Sequence, residues 1–359
     1  MSRPRANGAG RMIVLLLMCT VSSIPGVPSS VYAQQQTEAV AADTARGIEL
    51  YRQGDTLGAL EALHTATKYH KDDAEAWLYL GLALSRVERM KEARKAFERA
   101  VKLNPNSAQA HAGLAYTLLL ANKVREGTRE AERALALDAQ NAEAHYLLGL
   151  ARMKEHEPSN ALKNLEAALL IKPDFAPALL LKSQALLGAY AEKIFFAVPS
   201  TNTTAPGNTE PQALRHQFLK EAARSLEKYL QLNPAAREAP LWREQLAALR
   251  PYAEDADKPA AERTFFSARE VTTRARIINK PEPGYTSSAQ SNQVSGTVML
   301  NAVLAADGTV KHILVLNALP YGLTEKAVEA AKKIKFVPAI KDGRPVSMVV
   351  IIEYNFNVY

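Results

Sequence analysis

The sequence predicts an α+β multidomain chain: an all-α superhelix of stacked helical hairpins, then a small domain with one helix on a three-stranded antiparallel sheet. Three observations lead there. Residues Ala74 to Ser107 share one skeleton with the segments 34 residues either side. At that period each hairpin is too small to bury its own apolar face and does so against its neighbours. From about Arg274 the helical period gives way to short runs that alternate apolar and polar residues. Between the second and third run, Leu323, Ala327, Ala330, Ala331 and Ile334 make a single helical stripe.

At the N-terminus, Arg3, Arg5 and Arg11 precede the apolar run Met12 to Val21, and small residues then lead to Val31-Tyr32-Ala33. This is the order of a secretory signal peptide, so residues 1–33 are expected to be removed by cleavage after Ala33. The apolar run is about ten to thirteen residues long, against the roughly twenty that a membrane span needs. Export is therefore favoured over anchoring. Cys19, the sole cysteine, lies inside this segment behind the bulky Leu17-Met18, which disfavours a lipid attachment. Cleavage would leave a chain without a thiol, which excludes disulfides.

The repeats occupy 40–250. Starting the units at Val40, Ala74, Ala108 and Ala142 puts Gly47, Gly81, Ala115 and Gly149 in one column, where two helices approach closely. Further columns hold Ala59, Ala93, Gly127 and Ala161, then Leu63, Phe97, Ala131 and Leu165, then Ala66, Ala100, Ala134 and Ala168; Pro105, Ala139 and Pro173 end the units. A fifth unit is interrupted at 194–211, where VPSTNTTAPGNTEP has the composition of a loop. Its helices run from about Ala176 to Lys193 and up to Pro234, and Glu238 to Leu249 supplies a capping helix through Leu241, Trp242, Leu246 and Leu249. These columns resemble the tetratricopeptide (TPR) repeat family. The second unit carries most of that family's pattern as Trp77, Leu80, Gly81, Leu84, Ala93, Phe97, Ala100 and Pro105.

After a linker at 251–273, the domain 274–359 offers strands at Val294–Leu304, Thr309–Leu316 and Val346–Val358. Asp307-Gly308 joins the first two as a hairpin in which both central residues take positive φ. Pro283-x-Tyr285, Gly296-x-Val298, Asp307-Gly308-x-Val310, Leu323 with Ala327 and Ala330, Phe336-x-Pro338-Ala339, Asp342-Gly343-x-Pro345-Val346 and Phe356 follow in order over roughly 275–359. That ordered set resembles the TonB C-terminal domain family. Two positions depart from the family: Thr286 replaces a second proline, and Thr324 follows the helix-opening leucine as a candidate cap.

The net charge of +7 divides unevenly. Residues 1–33 carry +3, the stretch from Thr273 carries +4, and 34–272 balances to zero. A neutral solenoid lacks the clustered cations that phosphate binding requires, so nucleic acid is excluded as a partner. The C-terminal excess gathers at Lys332, Lys333, Lys335, Lys341 and Arg344, read first as a solvated helix end and alternatively as an attractor for an acidic partner segment or phospholipid heads. No phosphate-cradling glycine loop, nucleophile elbow or metal-spaced pair occurs, so neither catalysis, a cofactor nor a metal is expected. His111 and His145 share a repeat position, but hairpins stack near 10 Å apart, too far for joint coordination. His156-Glu157 beside Pro158 reads as a turn.

The TPR resemblance implies a ligand-facing surface on the first helix of each unit: Leu78, Leu82, Arg86, Tyr116, Leu119, Leu120, Tyr146, Leu150, Met153 and Lys154. Its apolar character suits an extended apolar peptide or a neighbouring helix. The TonB resemblance implies that an extended segment of an outer-membrane transporter adds as a strand along Val346, Met348, Val350, Ile352, Tyr354 and Phe356. The expected function is a non-catalytic periplasmic, cell-envelope adaptor for proteins or peptides. The alternative is a membrane-anchored energy transducer, and only that reading requires an inner-membrane motor complex.

Overall fold

The computed structural model describes residues 42–195, 212–255, 258–259 and 262–357; the signal segment at 1–33 and most of the insertion at 194–211 lie outside them. The expected fold class holds, with helical hairpins first and a small α+β domain after them. The chain divides into two compact units, Met1–Thr117 and Leu118–Tyr359.

In the first unit, α1 (42–53), α2 (Thr56–Tyr69), α3 (Ala74–Arg86), α4 (Met90–Leu103) and the start of α5 (Ala108–Leu120) form antiparallel pairs. The small-residue column explains their closeness. A Cβ on Gly47 would meet Leu63 at 2.6 Å, and one on Gly81 would meet Phe97 at 2.7 Å. A Cβ on Gly113, in the next helix, would meet the same Phe97 ring closer still. Phe97 is thus a wedge held between two glycines, and it is fully buried.

Each hairpin turns through a left-handed residue at the repeat spacing: Gly54, Glu88, Asn122 and His156, with φ of 87°, 60°, 59° and 60°. Behind the last three, the N–H groups of Arg89, Lys123 and Glu157 donate to the carbonyls of Leu84, Leu118 and Arg152. These are Schellman closures, which satisfy carbonyls that the helix end leaves free. His156 is therefore a turn residue, as expected. Asp73 and Asn141 cap α3 and the later α7 through their side chains.

A further column was not foreseen. Trp77, His111 and His145 stand 34 residues apart, and each ring nitrogen bonds the carbonyl six residues earlier, on Lys71, Pro105 and Ala139. The two histidines thus tie down their own unit's entry turn, in the place where the second unit uses tryptophan.

The second unit continues with α6 (Val124–Leu137), α7 (Ala142–Lys154), α8 (Pro158–Ile171), α9 (Ala176–Phe195), α10 (Gln212–Leu232) and α11 (Ala239–Asp255). The insertion partly lengthens helices: α9 has 20 residues and α10 has 21, against 13 or 14 in the regular repeats. Ser183 Oγ donates to the Ala222 carbonyl, 2.9 Å away, and fastens α10 to α9.

The C-terminal part contains β1 (Phe265–Phe266), β2 (Arg276–Asn279), α12 (Ser287–Ser291), β3 (Gly296–Leu304), β4 (Val310–Asn317), α13 (Leu323–Ala331), β5 (Lys335–Val337), β6 (Ala339–Lys341) and β7 (Arg344–Phe356). The three expected strands pair antiparallel in the order β7-β3-β4. Two short strands join them: β1 runs parallel to β7, and β6 forms a hairpin with it through Asp342-Gly343, both at positive φ. β2 and β5 make a separate ribbon.

Two local expectations need correction. At Asp307-Gly308 only Gly308 is left-handed, and the Ala305 N–H donates to the Thr309 carbonyl, so the loop is a turn closed by a glycine bulge. Thr324 does not cap α13, which starts at Gly322 without a side-chain cap; its hydroxyl instead braces the backbone of Leu319. Thr286, the other departure, caps α12 through the Ala289 N–H.

Both faces of the sheet are covered. On one side Val298, Leu300, Leu304, Ile352, Tyr354 and Phe356 pack with Leu323, Ala327 and Ala331 of α13. On the other, Val303, Leu314 and Leu316 pack with Leu186, Leu187 and Tyr190 of α9, Leu219 of α10, and Leu249 and Tyr252 of α11. Segment 251–273, expected as a linker, takes part in this joint. α11 continues through Pro251, and Asp255 at its end accepts the N–H groups of Thr264 and Phe265, which sets β1 beside β7.

Asn301 sits on the same sheet face as Met299 and Val303, fully buried, and its amide oxygen and nitrogen have no hydrogen-bond partner among the described residues. Replacing it by the near-isosteric leucine is expected to stabilise the chain by about 1–3 kcal/mol, because an unsatisfied buried amide disappears. Conversely, Phe97→Ala is expected to cost about 3–5 kcal/mol, since two glycines leave nothing to fill the cavity. Urea denaturation of both variants checks the opposite signs.

Candidate functional site

Strand addition needs a sheet margin with free backbone groups. The sheet has two, and they differ.

β4 ends the strand order. Its outer side is held by α11: the Val315 N–H donates to Gln245 Oε1 at 3.1 Å, and Tyr252 Oη donates to the His312 carbonyl at 2.6 Å. His312 has a φ of 49° beside an irregularity in the β3–β4 register, so the strand bulges toward the helix. Its ring lies 5.5 Å from Phe265 and 6.4 Å from Tyr252, centre to centre. Burial, and then the neighbouring Lys311, lower the imidazole pKa below its ordinary 6.5. Burial pushes the Tyr252 phenol well up, with a smaller contribution from Tyr190.

β7 is occupied on one side by β3 along Met348 to Phe356. Its other side pairs with β6 at Arg344–Val346 and with β1 at Ser347 and Met348. Beyond Met348, no strand among the described residues pairs with that side. Among the described residues Lys280 reaches it: its Nζ donates to the Glu353 carbonyl at 2.7 Å and stands 4.7 Å from the Tyr354 ring. Burial, then Glu282, pushes the Tyr354 phenol up to about 12.

The expected strand residues are therefore divided by the fold. Val346 and Met348 lie in the stretch already paired. Ile352, Tyr354 and Phe356 turn their side chains into the core with the half-buried Val350 beside them, so the margin they offer is backbone alone. Sequence alternation found the core face of β7 and could not see β1, β6 or Lys280, which arrive from distant segments.

On the helices, the expected ligand-facing residues also divide. Leu78 and Leu119 are buried and unavailable to a partner. Arg86 is exposed, its guanidinium 3.6 Å from the Tyr51 ring centre and donating to the Tyr51 carbonyl. Leu82 and Tyr116 are half-buried, and burial followed by the Glu88 charge raises the Tyr116 phenol. In the second unit Leu120 is 46% exposed, whereas Tyr146, Leu150 and Met153 pack in part against the next hairpin, Tyr146 edge-on to Phe175. Lys154 is half-buried.

Known proteins match two segments of the chain. Residues 281–358 match the family model of the Gram-negative bacterial TonB protein C-terminal, and 44–108 and 84–127 match that of the tetratricopeptide repeat. Protein TonB of Vibrio cholerae serotype O1 is 31% identical over 96 residues, which cover 24% of this chain and 39% of that protein. The chain thus spans about two fifths of the length of the curated relative it matches.

Among solved structures, the MamA protein is similar at 22% identity and a TM-score of 0.39, over 57% of this chain and 96% of that one. PilW, a type IV pilus biogenesis factor, gives 18% and 0.44 over 61% and 90%. YrrB, a TPR protein with an unusual peptide-binding site, gives 18% and 0.39 over 60% and 97%. By fold the molecule is a helical-repeat scaffold with a small sheet domain. Residues 44–127 carry repeats of the tetratricopeptide type, and 281–358 form a TonB C-terminal-like domain. Both families are non-catalytic scaffold types.

The lowered imidazole pKa makes the α11–β4 joint sensitive to acid. Because the folded value lies below the unfolded one, the stabilisation is present above pH 6.5 and is lost as pH falls through the folded value. Melting temperature measured across this range is expected to drop less on the acid side in His312→Asn, which tolerates the same left-handed backbone. Identical profiles would show that another group governs the response.

Proposed function

We propose that the chain is a non-catalytic adaptor of the cell envelope, exported to the periplasm, with its repeats at 40–250 holding a protein or peptide and its domain at 274–359 docking an extended partner segment. In this reading residues 1–33 are the signal peptide, and the exposed or half-buried residues Leu82, Arg86, Tyr116, Leu120, Leu150, Met153 and Lys154 face the repeat ligand. The observation that carries the docking role is the β7 margin beyond Met348, which no described strand pairs, in a domain of the TonB C-terminal type. An incoming strand satisfies backbone groups there without entering the core, displacing Lys280 from the Glu353 carbonyl.

The partner we favour is a periplasm-facing segment of an outer-membrane transporter. A pull on a strand added to β7 would pass through the sheet into α9–α11, because Val349 and Ile351 pack on that helical side. The repeats would then set where the docked segment is held. No helix among the described residues is long and apolar enough to cross a membrane.

Hydrogen exchange tests the docking. Adding peptides from the periplasm-facing ends of transporters of the same cell is expected to protect alternate amides within Val349–Phe356 and to leave those of β4 unchanged. Glu353→Pro, which removes an amide on the open side and leaves those bonded to β3, checked for folding by circular dichroism, is expected to abolish that protection. A folded variant that still captures the peptide normally would rule out strand addition on β7.

A further inference from the structure

Between the last repeat helices and the outer side of β4 lies a cleft of about 1090 Å³, larger than the usual range of small-ligand pockets. Its walls come from α9, α11, β4 and α13, all within the second unit. Leu187, Ala248, Met299 and Leu316 make an apolar lining. Gly188 lets α9 close on α8 at its back, since a Cβ there would meet Pro158 at 2.9 Å.

The rim is acidic. Glu192, Glu244, Glu325 and Glu329 line it, against Lys332 as the one lysine or arginine among the described lining residues. Lys332 Nζ stands 3.8 Å from Glu244, and Lys326, just outside, pairs with Glu329 at 3.2 Å. Four carboxylates thus face two ammonium groups. Such a rim repels fatty acids, phosphates and nucleic acid, and favours cationic groups on either side of an apolar body.

The third feature is Gln245, which lines the same cleft. Its side-chain oxygen takes the Val315 N–H, the position where a neighbouring strand would bring a carbonyl. A side-chain amide on a helix is a replaceable partner for a strand edge. We infer that this cleft binds an extended apolar peptide segment flanked by Lys or Arg, whose backbone carbonyl replaces Gln245 at the Val315 N–H. The site is separate from the β7 margin and does not depend on docking there. It places a further peptide-binding locus where the last repeat helices meet the sheet.

Calorimetric titration of the full chain tests it with three synthetic peptides: an apolar five-residue core flanked by lysines, the same core flanked by glutamates, and a polar core flanked by lysines. The first is expected to bind at least about tenfold tighter than the other two. Its binding should protect the Val315 amide from exchange. Glu244→Lys combined with Glu329→Lys changes two exposed side chains, and circular dichroism checks that the fold persists; this variant should invert the preference toward the glutamate-flanked peptide. Glu353→Pro should bind the lysine-flanked peptide as the parent does, which separates this site from the β7 margin. Equal binding of all three peptides, or a preference unmoved by the charge swap, overturns the inference. So does self-association lost in the swapped variant, which would make a second copy the occupant, or tight binding of a long-chain alcohol with no peptide binding, which would make it a lipid pocket.

Discussion

Burial of the sheet's second face by the last repeat helices is the constraint on which the rest of this region depends. Val303, Leu314 and Leu316 would otherwise present an apolar surface to water, and Leu186, Leu187, Tyr190 and Leu249 would do the same from the helices. Each such side chain contributes about 1.5–3 kcal/mol on full burial, an upper figure for a denatured chain that retains compactness. A solenoid normally ends in a polar cap. Here α11 faces a sheet, and the sheet serves as the cap.

That joint decides which margin is available. α11 reaches β4 through Gln245 and Tyr252 and holds the outer strand, while the far side of β7 is left open past Met348. Asp255 completes the arrangement by gripping the backbone of β1, so the connection between repeats and sheet is fixed by hydrogen bonds to a carboxylate. Asn301 is the weak point of the same surface, a buried amide without a described partner among apolar neighbours.

Periodicity made much of this legible. The columns headed by Gly47, Gly81 and Gly149 foretold close helix pairs, and the alternation in β7 marked Ile352, Tyr354 and Phe356 as one face. The second buried face also left a signal that the strand reading did not use: Val349-Val350-Ile351-Ile352 is apolar on both phases, as a strand covered on both sides requires. What no local pattern carries is the meeting of distant segments. Lys280 on the Glu353 carbonyl, Gln245 on Val315 and β1 beside β7 are each joined across tens of residues, and polar side chains on a helix look solvated until their partner is known. Thr324 misled for a related reason, since a helix-start threonine bonds whichever backbone group lies nearest, here that of Leu319.

Native-state hydrogen exchange measures most directly whether repeat helices and sheet share one cooperative core. Amides in the middle of α9 and α11 are expected to open with the same free energy, and the same denaturant dependence, as those of Leu300 to Val303 and Val349 to Ile352. Helix amides that exchange through a separate, lower-energy opening while the sheet stays protected would contradict it, and would mean that the sheet docks on the repeats as an independent body.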